Sequence, residues 1–129
     1  MDVVVPFRGE AARLDELRAG LARLQLQPGD SVVVVDNTPG HGPAALEEEG
    51  VVHAAAIETP AFARNRGAER GSAEWLVFVD ADTEPFPDLL DRYFDPSPGE
   101  RTALLAGGVV DEEVPAERPP RRATPTCAG

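Results

Sequence analysis

The chain has 129 residues, 42% of them hydrophobic, which suffices for one domain with a core and is short for two. A formal charge of −11 and a pI near 4.5 argue against a nucleic-acid groove or an anionic membrane surface as partner, since both need clustered cations. Cys127 is the single cysteine, so an intrachain disulfide and a thiolate zinc cluster are excluded, and no apolar run is long enough to span a bilayer.

Asp2–Pro6 reads as a first strand, stopped by Pro6 and loosened by Gly9. No basic stretch or long apolar segment precedes it, so no signal peptide is read and a cytoplasmic protein is expected. From Glu10 to Leu26 the spacing changes: Leu14, Leu17, Leu21 and Leu24 form one apolar stripe of a helix. Ser31–Val35 is a second buried strand, closing in Asp36-Asn37-Thr38-Pro39-Gly40, which suits either a turn or a binding loop. Pro43–Glu49 suggests a short helix, opened by proline and stopped at Gly50. Val51–Ala56 is a third strand and Pro60–Arg70 a helix closed by Gly71.

Trp75–Val79 is an apolar run that reads as a buried strand, with Trp75 in the core, ending in Asp80-Ala81-Asp82. Side chains alternate across a strand, so the two aspartates share a face while Ala81 takes the other. Two carboxylates so close repel each other, and a hard divalent cation carrying a substrate phosphate is their natural partner. The plainer alternative is a surface turn, since Asp is a good turn former. Pro85–Phe94 then offers a short helix with Leu89, Leu90 and Phe94 inward, and Thr102–Val110 one more strand, broken at Gly107-Gly108. Residues 111–129 hold four prolines and read as a disordered tail behind a domain of residues 1–110.

Strands alternating with helices imply an α/β fold: a mainly parallel sheet covered on both faces. Ligands of such folds sit at the carboxyl ends of the strands, near the switch in strand order. The polar clusters Pro6-Phe7-Arg8, Asp36-Asn37-Thr38 and Asp80-Ala81-Asp82 all fall at those ends.

An ordered set of motifs carries a resemblance. Val-Val-Val-Pro-Phe-Arg, the Leu-rich helix, Val-Val-Val-Val-Asp-Asn, Ala63-Arg64-Asn65-Arg66-Gly67 and Phe-Val-Asp-Ala-Asp follow one another between Val3 and Val110. Together they are similar to the family 2 glycosyltransferases, nucleotide-sugar-dependent enzymes of the GT-A fold. The resemblance implies that Pro6, Phe7 and Arg8 wall the nucleotide pocket, largely through backbone, and that Asp36 meets the nucleobase or ribose. It implies that Arg64 orients the diphosphate or an aspartate and that Asn65 holds the adjacent loop. Asp80 would lie near the ribose and metal, and Asp82 would bind Mg²⁺ or Mn²⁺ bridging the diphosphate. The expected reaction is transfer of the sugar, with inversion, to a saccharide, lipid or protein acceptor.

There are departures from the family pattern. Thr38-Pro39-Gly40-His41 stands where the family often has further Ser and Asp. Only 47 residues follow Asp82, so the chain is expected to be a donor-binding half, incomplete at its C-terminus, and no catalytic base can be named. A non-catalytic nucleotide-sugar or partner-binding module is the alternative. A haloacid dehalogenase-type phosphatase also places Asp-x-Asp after a strand, but wants Thr or Val where Glu84 stands. His41 and His53 read as isolated, at a surface loop and a strand position, Arg66 as a solvated helix charge, and Glu84 as a surface turn residue.

Overall fold

A computed structural model of the protein describes residues 1–41 and 50–110. The expected helix Pro43–Glu49 and the tail of residues 111–129 lie outside the described residues. The chain divides into a compact unit of Met1–Gly99 and a second unit of Glu100–Gly129.

The first unit contains β1 (Asp2–Phe7), α1 (Ala11–Leu21), β2 (Ser31–Asp36), β3 (Val51–His53), α2 (Pro60–Ala68), β4 (Leu76–Phe78) and α3 (Leu89–Tyr93). Its four strands form one sheet in the order β3-β2-β1-β4, and every pair is parallel. This is the expected α/β architecture, with helices on both faces. The chain winds outward from β1 through β2 to β3, then returns so that β4 lies on the other side of β1. The order therefore switches between β1 and β4, where a parallel sheet opens a crevice at its carboxyl edge.

Register decides which valine faces which helix. Val3, Val5 and Phe7 point with Val34 and Val51 toward Leu14, Leu21, Leu24 and Leu90, while Val4 and Val35 point toward Ala63 of α2. β1 is thus buried on both sides, which is why it shows an unbroken run of valines instead of an alternation. On α2, Ala63 and Gly67 are four residues apart and both are buried against the sheet. A Cβ at Gly67 would overlap Val4 Cγ1, so this glycine permits the helix to approach. Thr59 caps α2 by accepting the Phe62 backbone N–H at 3.2 Å, and Pro60 occupies its first turn.

Several boundaries differ from expectation. β1 runs through Pro6 to Phe7 instead of stopping at the proline. Even-numbered residues of β1 direct their backbone groups toward β4, as in Asp2 N–H to Trp75 O and Val79 N–H to Val4 O. The β1–β4 pairing ends at Val4, so the donor that Pro6 lacks would have had no partner. α1 ends at Leu21, five residues early, because the Gln25 N–H leaves the helix to bond Pro87 O at 2.8 Å. A tight turn still delivers Leu24 to the core. β3 stops at His53 and α2 at Ala68, and α3 spans only Leu89–Tyr93.

Burial of β4 is the main correction. Leu76–Phe78 is a strand, but Leu76 is 41% and Phe78 49% exposed. They lie on the face covered by α2, which packs mainly over β1 and β2. Trp75, expected in the core, is only half-buried and stands edge-on to Phe94 at 5.5 Å. Residues 102–110 form no strand: Gly107 and Gly108 interrupt a short apolar run that pairs with no ladder.

Candidate active site at the carboxyl edge of the sheet

Three strand ends supply the polar groups of this edge, and the Asp36-Asn37-Thr38 run ties them together. The Asn37 N–H donates to Phe7 O at 2.7 Å, extending the ladder between β1 and β2. The buried Asn37 amide donates to Ala54 O at 2.8 Å and Ile57 O at 2.9 Å, fixing the loop after β3. The Thr38 hydroxyl accepts the Gly9 N–H at 3.0 Å and donates to Gly9 O at 3.3 Å, fixing the loop after β1. Where the sequence allowed either a mere turn or a binding loop, the Asn37 and Thr38 side chains lock the neighbouring loops in place.

Asp36 is fully buried. Its Oδ1 accepts the Thr38 N–H at 3.0 Å, and its Oδ2 accepts from His41 Nδ1 at 2.7 Å. His53 Nδ1 lies 3.0 Å from the same Oδ2, but it is not aligned for a hydrogen bond and is buried without one. Burial pushes the Asp36 carboxyl up, yet the hydrogen bonds from Thr38 and His41 outweigh it and hold the group below the usual carboxylate range. The two histidines are therefore not isolated, contrary to the sequence reading. One available signal was the position of His53 at the end of β3, level with the polar ends of the other strands.

At the end of β4, Val79 is buried and Ala81 packs on the core, while Asp80 and Asp82 are both exposed. They stand in a turn just past the strand, closed by the Thr83 N–H and hydroxyl donating to Asp80 O at 3.1 and 2.7 Å. Arg64 reaches across from α2 and places its guanidinium 3.3 Å from Asp80 Oδ1. Asp82 has no hydrogen bond or ion pair among the described residues, and neither does the exposed Asn65 side chain. Arg66 pairs with Glu69 at 3.2 Å and lies over the Phe62 ring, as a solvated helix charge does.

A cleft of 380 Å³ opens at the β1–β4 switch, lined by Phe7, Arg8, Arg13, Ala81, Asp82 and Glu84 among others. Phe7 is mostly committed to the core, and Pro6 is half-buried. Arg8 projects outward, 3.9 Å from the exposed Glu58. Arg13, one turn into α1, brings a second guanidinium to this cleft, a contribution not anticipated from its place off the leucine stripe. A hollow of 310 Å³ at the opposite edge is lined by Asp2, Ser31 and Gly71 among others. Asp2 there is satisfied by Ser31 Oγ at 2.6 Å and the Ala73 N–H at 3.1 Å, so that hollow presents no free carboxylate.

No group of three or more acidic, histidine or cysteine side chains gathers for a metal among the described residues. Of the two aspartates, Asp82 lines the cleft without a partner among the described residues, and a magnesium-like ion takes one or two carboxylates and fills its other positions with water and substrate phosphate. No helix among the described residues is long and apolar enough to cross a membrane.

A family model described as glycosyl transferase family 2 matches residues 2–124. No curated protein and no solved structure matches the chain.

Proposed function

The chain belongs to glycosyl transferase family 2, and from that membership we propose that it binds a nucleotide-diphosphate sugar at the carboxyl edge of its sheet for transfer to an acceptor hydroxyl. The observation that carries this reading is that the ends of β1, β2 and β4 all lie at the carboxyl edge of one parallel sheet, with Arg64 bonded to Asp80 at that edge.

In this reading residues 1–110 are the donor-binding domain. The nucleoside lies over the ends of β1 and β2, against Pro6, Phe7, Arg8 and the Asp36 cluster. The diphosphate lies toward β4, near Asp80, Asp82 and Arg64, with Asn65 beside it on α2. Asp82, with Asp80, would hold Mg²⁺ or Mn²⁺, which supplies Lewis-acid stabilisation of the departing diphosphate. Arg64 contributes a permanent, forked cation to the same region. Its bond to Asp80 keeps that carboxylate turned toward α2 while Asp82 stays free. The anomeric centre inverts, and the acceptor is a saccharide, lipid or protein hydroxyl. A cytoplasmic location belongs to the same proposal.

Calorimetry with UDP, GDP and dTDP, with and without Mn²⁺, tests the reading. Metal-dependent binding of at least one of them is expected, and absence of binding by all three would overturn it.

A further inference from the structure

Asp36 cannot meet a ligand directly as it stands, because its side chain is 0% exposed and two imidazoles lie against it. A carboxylate held in its ionised form only accepts hydrogen bonds, so the 2.7 Å contact requires the proton on His41 Nδ1. In the neutral ring that choice leaves Nε2 as an acceptor, on the edge turned away from the buried oxygen. The His41 side chain is 33% exposed, so part of the ring is open to an incoming molecule at the end of β2. His53 supports the arrangement from behind: its ring stands nearly perpendicular to that of His41, 6.5 Å away, and is the more buried of the two.

We propose that His41, anchored through Nδ1–H on Asp36, reads the nucleobase of the donor and selects one that offers a ring N–H. Uracil, thymine and guanine carry such a group next to a carbonyl, whereas the corresponding ring nitrogen of cytosine is an acceptor and would face the Nε2 lone pair. His41 is then the base-contacting residue, and Asp36 is a positioning residue that fixes the tautomer. The proposal rests on the donor-binding reading above and adds to it which residue discriminates and which bases it accepts.

The test uses the full chain with Mn²⁺ at mildly basic pH. Affinities for UDP, dTDP, GDP and CDP are measured for the parent and for His41→Ala. The parent is expected to prefer at least one of the first three over CDP by about tenfold or more, the discrimination open to a site that hydrogen-bonds its ligand. His41→Ala should bring the ratio to within about twofold, in a chain that still folds but melts lower than the parent because buried Asp36 loses one hydrogen bond. Asp36→Asn should lower the same ratio and leave the response to Mn²⁺ intact, which a purely structural role would not do. As a second measurement, the chain contains two histidines, so imidazole NMR can follow both rings. The preferred nucleotide should shift His41 more than His53. If no nucleotide binds the parent, the donor-binding reading itself fails. If nucleotides bind but His41→Ala keeps the parental preference, or the His41 ring does not respond, this inference alone is overturned.

Discussion

Arg64 of α2 places its guanidinium 3.3 Å from Asp80 Oδ1 in the turn after β4, joining two segments 16 residues apart in the chain. Both side chains are substantially exposed, so in the free protein this contact is worth little to stability. Its consequence is positional: one carboxylate of the pair is oriented while the other is left available.

That asymmetry predicts different outcomes for the two aspartates. Asp82→Asn removes a charged metal ligand while nearly keeping its shape. It should weaken Mn²⁺-dependent nucleoside diphosphate binding by about tenfold or more, roughly 1.4 kcal/mol, and leave metal-free binding unchanged. Titration of the variant with and without Mn²⁺ checks this. Binding as tight as the parent's in Mn²⁺ would show that Asp82 is not a ligand.

Gly67→Ala should destabilise the protein by about 1–3 kcal/mol, as overpacking of a close contact does. The added methyl overlaps Val4 and approaches Val35 Cγ2, so α2 must lift from the sheet. Urea denaturation measures the loss. Donor binding should fall as well, because the same displacement carries Arg64 away from Asp80.

Asn37→Ala strips two carbonyls, those of Ala54 and Ile57, of their hydrogen bonds to the side-chain amide. Each of these part-buried hydrogen bonds contributes about 0.5–1.5 kcal/mol. The expected signature is a lower urea midpoint, with faster amide exchange concentrated in the chain just after β3.

Acid should unfold the protein through Asp2 and Asp36. Asp2 is held below the usual carboxylate range by the Ser31 hydroxyl and the Ala73 N–H, and Asp36 by its bonds to Thr38 and His41 against the effect of burial. A carboxyl whose folded value lies below its unfolded one, about 3.9, contributes stability that is present above that unfolded value. The contribution disappears as pH falls through the folded value. The urea midpoint should therefore hold steady down to about pH 4 and drop below it. Asp2→Asn should begin lower at neutral pH and drop less on acidification. A parent midpoint that did not change in acid would refute this account.

The elements that could be read from sequence are those whose cause is local. Four valines in a row in β2, the leucine spacing of α1, and Thr59-Pro60 before α2 each determine structure within a turn or two. The exposure of Asp80 and Asp82 was legible for a similar reason, since polar residues that close an apolar run fall at its surface end. What escaped depends on residues far apart in the chain. Pro6 is accommodated only because β4 stops pairing at Val4, and α1 ends where Pro87 captures the Gln25 N–H. Leu76 and Phe78 look like core until the reach of α2 across the sheet is known. The meeting of His41 and His53 on Asp36 requires β2 and β3 to be in register, with Asp36 opposite His53, a pairing that no local spacing encodes.

The central place of β1 also bears on the order in which the protein can assemble. Asp2 bonds Ser31 on one side, 29 residues along, and Ala73 on the other, 71 residues along. During synthesis β1 leaves the ribosome before β2 and β4, so it can gain its β2 neighbour early, but its other flank waits until β4 has emerged. Until then the valine-rich β1 offers an open hydrogen-bonding edge to any other chain. Non-local parallel pairing is intrinsically slow, and such intermediates are prone to aggregate. Refolding should accordingly be sensitive to protein concentration even though the finished sheet keeps this strand in its interior.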